Sequence, residues 1–105
     1  MRTAVSTVGG SVVVALDGTV DLAGVGALHS ELGRAVRLHP GATIVVDLDG
    51  VDTIDDAALG VLMGAAAAAR DAGGDLEVVS NLAPLRARLE RTRFDRAVAV
   101  RTTIA

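Results

Sequence analysis

The chain has 105 residues, of which 50% are hydrophobic and 22% charged, a composition typical of one globular domain over residues 1–105. It contains no cysteine, so disulfide bonds and thiolate metal sites are excluded. Its formal net charge is −3 and Phe94 is its one aromatic residue, which argues against a nucleic-acid-binding protein because basic surface and stacking platforms are both missing.

The sequence also argues against insertion into a membrane. Its N-terminal residues lack the long apolar core of a signal peptide. The longest run of apolar residues and glycine, residues 57–69, is shorter than the ~20 residues that a membrane-spanning helix needs. We therefore expect a cytoplasmic protein.

A hairpin and a helix are predicted first along the chain. Residues 3–8 and 11–17 read as two strands, and Gly9-Gly10 between them supplies the positive φ angles of a two-residue turn. Apolar residues then recur at helical spacing, which predicts a helix over about residues 24–38.

The rest of the chain alternates strands with helices. The predicted elements are, in order, a buried strand over residues 43–48, a helix that begins at Asp55 or Asp56 and ends before Gly73, a strand over 76–79, a helix capped by Asn81 or a neighbour with Pro84 in its first turn, and a strand over 97–101. Leu82, Leu85 and Leu89 are expected on one face of the third helix.

The predicted order ββαβαβαβ determines the fold class. Strands that alternate with helices pair largely in parallel, through right-handed crossovers. We therefore predict an α/β fold: a mixed four- to five-stranded β-sheet with about three main α-helices packed on it.

Five aspartates lie between the predicted buried strand and the second helix: Asp47, Asp49, Asp52, Asp55 and Asp56. They can be helix caps and turn residues, because aspartate accepts hydrogen bonds from the free N–H groups there. They can form, with the helix start, a docking surface for a partner protein. They can hold a metal or a phosphoryl group, although no EF-hand spacing is present and residues 5–14 carry no further acid.

The second predicted helix has no charged residue between positions 57 and 69. A helix that covers one side of a sheet needs only one apolar stripe, so an uncharged circumference indicates a second burial partner. Gly60 and Gly64 would let another backbone approach closely. The alternative is that alanine is simply a good helix former.

Local motifs resemble those of one known family, in the same order along the chain. They are Gly18-Thr19-Val20-Asp21-Leu22, Val45-Val46-Asp47-Leu48, Ile54-Asp55-Asp56-Ala57-Ala58-Leu59-Gly60, Gly73-Gly74-Asp75-Leu76, Leu82-Ala83-Pro84 and Phe94-Asp95. Together they resemble the STAS domain, typified by bacterial anti-sigma factor antagonists, over about residues 3–101. The resemblance implies a protein-interaction module without a cofactor. No acid, base and nucleophile group is visible, so no enzymatic activity is expected.

The chain departs from this family at the family's regulatory site. The resemblance implies two serines in the signature, the second phosphorylated by the cognate kinase, but Asp56 and Ala57 occupy those places. Alanine has no hydroxyl, so phosphorylation at Ala57 is excluded. Asp56 could permanently substitute for the modified state, or Ala57 could resemble the unmodified state and keep the surface always competent, and we favour the second hypothesis. Thr53 is the nearest hydroxyl, either a displaced phosphorylation site or a plain loop residue.

The resemblance implies an anti-sigma factor antagonist, which binds an anti-sigma factor, often a serine kinase, and so releases a sigma factor. We expect the partner to be an anti-sigma factor or a related kinase-fold protein, and the chain to be a monomer or a weak homodimer. The predicted contact residues are Asp21, Asp49, Asp52, Thr53, Asp55, Asp56, Ala57, Ala58, Gly60, Met63 and Gly64.

No catalytic or metal-binding residues are predicted. Two other functions remain open for the same fold. One is a soluble STAS subunit of a membrane-transport complex, and the other is a small-ligand sensor, which would need a pocket between the first helix and the sheet.

Overall fold

The structure, a computed structural model, describes residues 1–103. Within these residues the chain forms, in order, β1 (Arg2–Val8), β2 (Ser11–Val20), α1 (Val25–Leu38), β3 (Thr43–Ile54), α2 (Asp56–Asp71), β4 (Asp75–Val79), α3 (Ala83–Arg91), α4 (Phe94–Ala97) and β5 (Ala99–Arg101). A single 3-10 turn, Leu22–Gly24, leads from β2 into α1.

The strands of residues 1–103 form one sheet in the order β1-β2-β3-β4-β5. β1 pairs antiparallel with β2, and each later pair of neighbours is parallel. The predicted mixed sheet with helices packed on it is therefore confirmed. Consecutive parallel strands joined by right-handed crossovers place their helices on one face of the sheet. In agreement, buried residues of α1, α2, α3 and α4 all belong to one core cluster.

The main core lies between that face of the sheet and the helices. Its largest fully buried side chains come from both layers, among them Leu16, Ile44 and Leu76 from strands and Leu28, Leu62, Leu89 and Phe94 from helices. The opposite face of the sheet holds a small buried cluster of Val13, Val45 and Val79. β3 is thus buried on both faces, as its apolar run predicts.

The N-terminal hairpin forms as predicted. Gly9 and Gly10 have φ angles of 55° and 85°, which glycine adopts without steric cost. Val8 pairs with Ser11 directly beside the turn, and the register continues without interruption to Arg2 opposite Asp17.

The largest difference from the sequence-based prediction is the length of β3. The strand reaches Ile54, so Asp49, Asp52 and Thr53 lie on a strand and not in a loop. Val51, which is fully buried, anchors this extension in the core. The apolar run is interrupted at Asp47 and Asp49, and a strand predicted from that run therefore ends too early.

β2 is also longer than predicted, and its extension explains that of β3. β2 reaches Val20 and continues to pair with β3 across two register irregularities. Gly50 packs closely against β2, because a β-carbon there would lie 3.1 Å from the Leu16 carbonyl oxygen.

The C-terminal elements differ from the prediction in three details. Leu82 precedes α3 and is 41% exposed, so it does not share the buried face of Leu85 and Leu89. The side chain of Asn81 does not cap the helix. A short helix that was not predicted, α4, buries Phe94 and leaves only three residues for β5.

One arginine ties the end of α2 to its neighbours. Arg70 Nε donates to Asp75 Oδ1 at 2.9 Å, and Arg70 Nη2 donates to the Ala97 carbonyl oxygen at 2.7 Å. The backbone N–H of Leu76 also donates to the Asp75 carboxylate, and this bond, together with Arg70, lowers the pKa of Asp75 from its ordinary value. These bonds fix the C-terminal end of α2 against the sheet.

Candidate functional site

The carboxyl ends of β2 and β3 meet at one edge of the sheet, where α2 begins. The backbone N–H of Asp55 donates to the Val20 carbonyl oxygen at 3.1 Å, and Val20 pairs with Ile54. Asp21, which follows Val20, therefore lies beside the first residues of α2. The sequence places Asp21 and Asp55 far apart, and only the parallel pairing of β2 with β3 brings them together.

Asp55 is the N-cap of α2, as the sequence predicts. Its backbone is extended, and its Oδ1 accepts a hydrogen bond from the Ala58 N–H at 2.9 Å. A cap of this kind satisfies one of the free N–H groups of the first helical turn. Ala58 itself is fully buried, so this predicted contact residue cannot touch a partner directly.

Arg88 of α3 clamps the start of α2. Its Nε donates to the Ile54 carbonyl oxygen and its Nη2 donates to Asp56 Oδ1, both at 2.7 Å. The Arg88 side chain is only 33% exposed. The clamp gives the Asp56 carboxylate a cationic partner within the chain itself.

Asp21 and Asp47, near this edge, also have internal partners. Asp21 Oδ1 accepts from the Ala23 N–H at 3.1 Å and thereby caps the 3-10 turn. Asp47 Oδ1 accepts from the Asp49 N–H at 2.9 Å. These bonds support the interpretation of the aspartates as helix caps and turn residues.

Asp49 joins β3, through Asn81, to the chain segments that follow β4 and β5. The Asp49 carboxylate accepts from the backbone N–H of Asn81 at 2.8 Å and from its side-chain amide, which also donates to the Thr102 carbonyl oxygen at 2.7 Å. Asn81 therefore links β3 to the chain after β5 instead of capping α3. Asp52 and Thr53 are exposed on β3. Within residues 1–103 no group of three acidic, histidine or cysteine side chains could hold a metal ion.

The outward side of α2 is exposed and carries no charge. We call it the α2 crest, and it consists of Ala57, Gly60, Met63, Gly64, Ala67 and Ala68. A β-carbon added at Gly60 or Gly64 would meet no atom within 4 Å, so the space above these glycines is open. The crest also projects little from the helix axis, because most of its side chains are small. Met63 is its one large side chain, 45% exposed.

Two grooves run along the α2 crest, one on each side. The groove toward α1 has a volume of about 410 Å³, and His29, Gly33 and Val36 form its far wall. The groove toward α4 has a volume of about 310 Å³ and ends on Phe94 and Thr92. Gly60 lines both, because it lies at the top of the helix between them. Ala57 lies in the first groove and Met63 in the second.

The structure divides nine of the eleven predicted contact residues into two groups. Ala57, Gly60, Met63 and Gly64 share the α2 crest, with Asp56 at its N-terminal end. Asp21, Asp49, Asp52 and Thr53 lie on β3 or just after β2. The first group borders open grooves, whereas Asp21 and Asp49 of the second group already have internal hydrogen bonds. The other two predicted residues are Asp55, the cap of α2, and the buried Ala58.

Sequence reasoning missed the walls of both grooves and the Arg88 clamp. One wall residue is His29, and a lone histidine on a helix flank points to no chemistry. The groove walls come from α1 and α4, and their position depends on tertiary packing. Nothing in the sequence distinguishes Arg88 from the other arginines of α3. Small residues at Gly33, Gly60 and Gly64 were the one available signal for the groove between α1 and α2.

A comparison with protein families identifies this fold. The family model described as "Mlab, STAS domain" matches residues 3–102. The chain belongs to this family. The sequence matches no protein among those with curated functions.

Solved structures of STAS-like proteins superpose well on the chain. An anti-sigma factor antagonist from Mycobacterium paratuberculosis gives a TM-score of 0.87 at 24% identity, over 98% of this chain and 86% of that one. A Thermotoga maritima protein proposed to be an anti-sigma factor antagonist gives 0.86 at 20% identity, over 97% and 87%. Bacillus SpoIIAA, an anti-sigma factor antagonist in its unphosphorylated form, gives 0.78 at 15% identity, over 94% and 87%. These TM-scores establish a common fold, and the predicted STAS-like architecture is confirmed.

The structure also bears on membrane insertion. No helix of residues 1–103 is long and apolar enough to cross a membrane.

Proposed function

We propose that this STAS domain is an anti-sigma factor antagonist that binds an anti-sigma factor through the α2 crest and so releases a sigma factor. The observation that carries the proposal is the crest itself, an uncharged, low helix face bordered by two grooves. Single apolar residues on a surface are ordinary, but a contiguous apolar surface with concave flanks is typical of a protein-interaction site. Three solved structures of similar fold are named as known or proposed anti-sigma factor antagonists, which supports an anti-sigma factor as the partner.

The binding role accounts for the composition of α2. The buried side of α2 needs only Leu59, Leu62 and the alanines that face the sheet. The crest has no such constraint, and its lack of charge leaves a face that a partner can cover without desolvating an ion. Small residues let the partner backbone come close, and Met63 can adapt its shape to the contact.

The proposed partner is a kinase-type anti-sigma factor, and the binding site is proposed to be permanently competent. Ala57 occupies the place of the family's phosphorylated serine and lines the groove toward α1. Asp56 carries one negative charge whereas a phosphoserine carries about −1.5 to −2, and Arg88 already pairs with Asp56 at 2.7 Å. A carboxylate one position away that already pairs with an arginine is a poor substitute for a phosphate. Regulation would then act through the abundance of the protein, in the cytoplasm, with no catalytic step.

A retention experiment from the native lysate tests this proposal. The immobilised chain is incubated with lysate with and without added nucleotide, and the retained proteins are identified by mass spectrometry. We expect an anti-sigma factor of the kinase fold to be retained. Retention of a transporter ATPase in its place would contradict the proposal and favour a soluble subunit of a transport complex.

A further inference from the structure

The outer edge of β1 is a free strand edge. β1 is the terminal strand of the sheet and pairs with β2 only, among the strands of residues 1–103. All seven residues of Arg2–Val8 are exposed. In an antiparallel pair alternate N–H and C=O groups point away from the partner strand, so this edge presents a row of backbone groups ready to bind another strand.

β1 carries none of the features that usually protect an edge strand. Its seven pairs with β2 run without a bulge, and it contains no proline. Its one charged side chain, Arg2, donates to Asp17 at 3.1 Å and is thereby paired within the chain. Residues 3–10 are uncharged. By contrast, β5 at the other edge has only three residues and ends on the charged Arg101. Native proteins block exposed edges with charge, proline, bulges or short length, so the unprotected state of β1 indicates a partner.

Apolar side chains flank this edge on the helix side of the sheet. Val5 is 52% exposed and Leu38 of α1 is 61% exposed. Together with Ala35 they line an open groove of about 270 Å³ between α1 and β1. Glu31, Arg34 and His39 also line this groove. Charges of both signs can pair with those of a copy across a two-fold axis, whereas charges of one sign would repel it.

We propose that a second copy of this chain binds the β1 edge, strand to strand and antiparallel, to form a two-fold dimer with one continuous sheet. Full overlap of Arg2–Val8 with its copy places Val5 on the two-fold axis, opposite Val5 of the partner subunit. Thr3 then faces Thr7 of the partner subunit, and the groove beside Leu38 is closed by the second molecule. A copy fits this edge because β1 has no charged residue after Arg2 and because two β1 strands of equal length can pair along all seven residues.

The dimer leaves the α2 crest free. α2 packs on β3 and β4, at the middle of the sheet. β1 is the edge strand next to β2, and seen from α2 it lies on the other side of α1. The dimer therefore does not depend on the proposed anti-sigma partner, and its test needs none.

Sedimentation equilibrium over a concentration series tests the dimer and its register together. The wild-type chain should approach twice its monomer mass of 10.6 kDa as concentration rises. The double variant Thr3→Lys/Thr7→Lys places lysines opposite each other at two points and should lose the dimer. The matched variant Thr3→Lys/Thr7→Glu places each lysine opposite a glutamate and should keep it. A wild-type chain that stays at the monomer mass, or two variants that behave alike, would overturn the proposal.

A cysteine variant provides a readout that does not depend on charge. The chain has no cysteine, so Val5→Cys introduces a single thiol. In the proposed register two such thiols meet at the axis and should form an intermolecular disulfide under mild oxidation. Ala99→Cys on the opposite edge strand is the control and should remain unlinked. Equal cross-linking of the two variants would also overturn the proposal.

Discussion

At the scale of single residues, the aspartates around α2 act mainly within the chain. Asp55 caps α2, Asp56 pairs with Arg88, and Asp49 accepts hydrogen bonds from Asn81. The residue types therefore predicted capping and turn formation correctly, because those bonds are local. They gave no indication of Arg88 or Asn81 as partners, because those bonds span 32 residues of sequence. The surface left for binding is marked by Ala57 and Gly60, which carry no functional group at all.

Ala57→Glu should weaken binding of the anti-sigma factor by roughly tenfold or more, about 1.4 kcal/mol. The added carboxylate would fill the groove toward α1 and would be buried by the partner without a counter-charge. The fold should persist, because an acidic side chain in the first turn of a helix interacts favourably with the helix dipole. Calorimetric titration measures the affinity.

Ala27→Glu is the matched control for this charge. Ala27 is exposed in the first turn of α1, outside the grooves beside the crest. Its affinity should equal that of the wild type. Unchanged affinity of Ala57→Glu would rule out a contact at position 57.

At the scale of secondary-structure elements, α2 is positioned from both ends by arginines. Arg70 holds its C-terminal end to Asp75 and Ala97, and Arg88 holds its first turn. The sequence predicted α2 accurately, because an aspartate cap and a glycine pair bracket an uncharged run. It ended β3 too early, because an isolated strand pattern cannot show that β2 also continues and keeps pairing. It missed α4, whose four residues are held by the burial of Phe94 and by the hydrogen bond from Arg70 to the Ala97 carbonyl oxygen.

Arg88→Met should reduce the free energy of unfolding by about 1–2 kcal/mol, in the range expected for loss of a partly exposed, charge-assisted hydrogen bond. Methionine keeps much of the aliphatic packing but cannot donate to the Ile54 carbonyl oxygen or to Asp56. Urea denaturation followed by circular dichroism measures the change.

Arg91→Met on the same helix serves as the comparison for Arg88→Met. Arg91 is exposed, and its substitution should change the free energy of unfolding by less than about 0.5 kcal/mol. Equal stability of the two variants would show that the clamp contributes nothing to the fold.

At the scale of the whole molecule, the strand order separates the two proposed interaction surfaces. Parallel strands in sequential order carry their helices on one face, so the α2 crest is the outward surface of a helix layer. The same order leaves β1 as a free antiparallel edge, remote from α2. The order of elements was predictable from alternating patterns and ordered motifs. The two grooves beside α2 could not be predicted, because their walls depend on the distances of α1 and α4 from α2 in the folded chain.

The most direct test of the central claim is a titration of the retained anti-sigma factor with two arginine variants. Gly60→Arg places a long charged side chain at the top of the α2 crest, between the two grooves. A β-carbon meets no atom within 4 Å at this position, and arginine favours a helix more than glycine does, so the fold should be unaffected. Gly26→Arg makes the same exchange at an exposed, open position of α1 outside both grooves.

We expect Gly60→Arg to weaken binding by about 30-fold or more, the change that corresponds to the loss of a central contact of about 2 kcal/mol. Gly26→Arg should bind as tightly as the wild-type chain. Wild-type affinity for Gly60→Arg, or an equal loss in both variants, would contradict the assignment of the α2 crest as the binding surface.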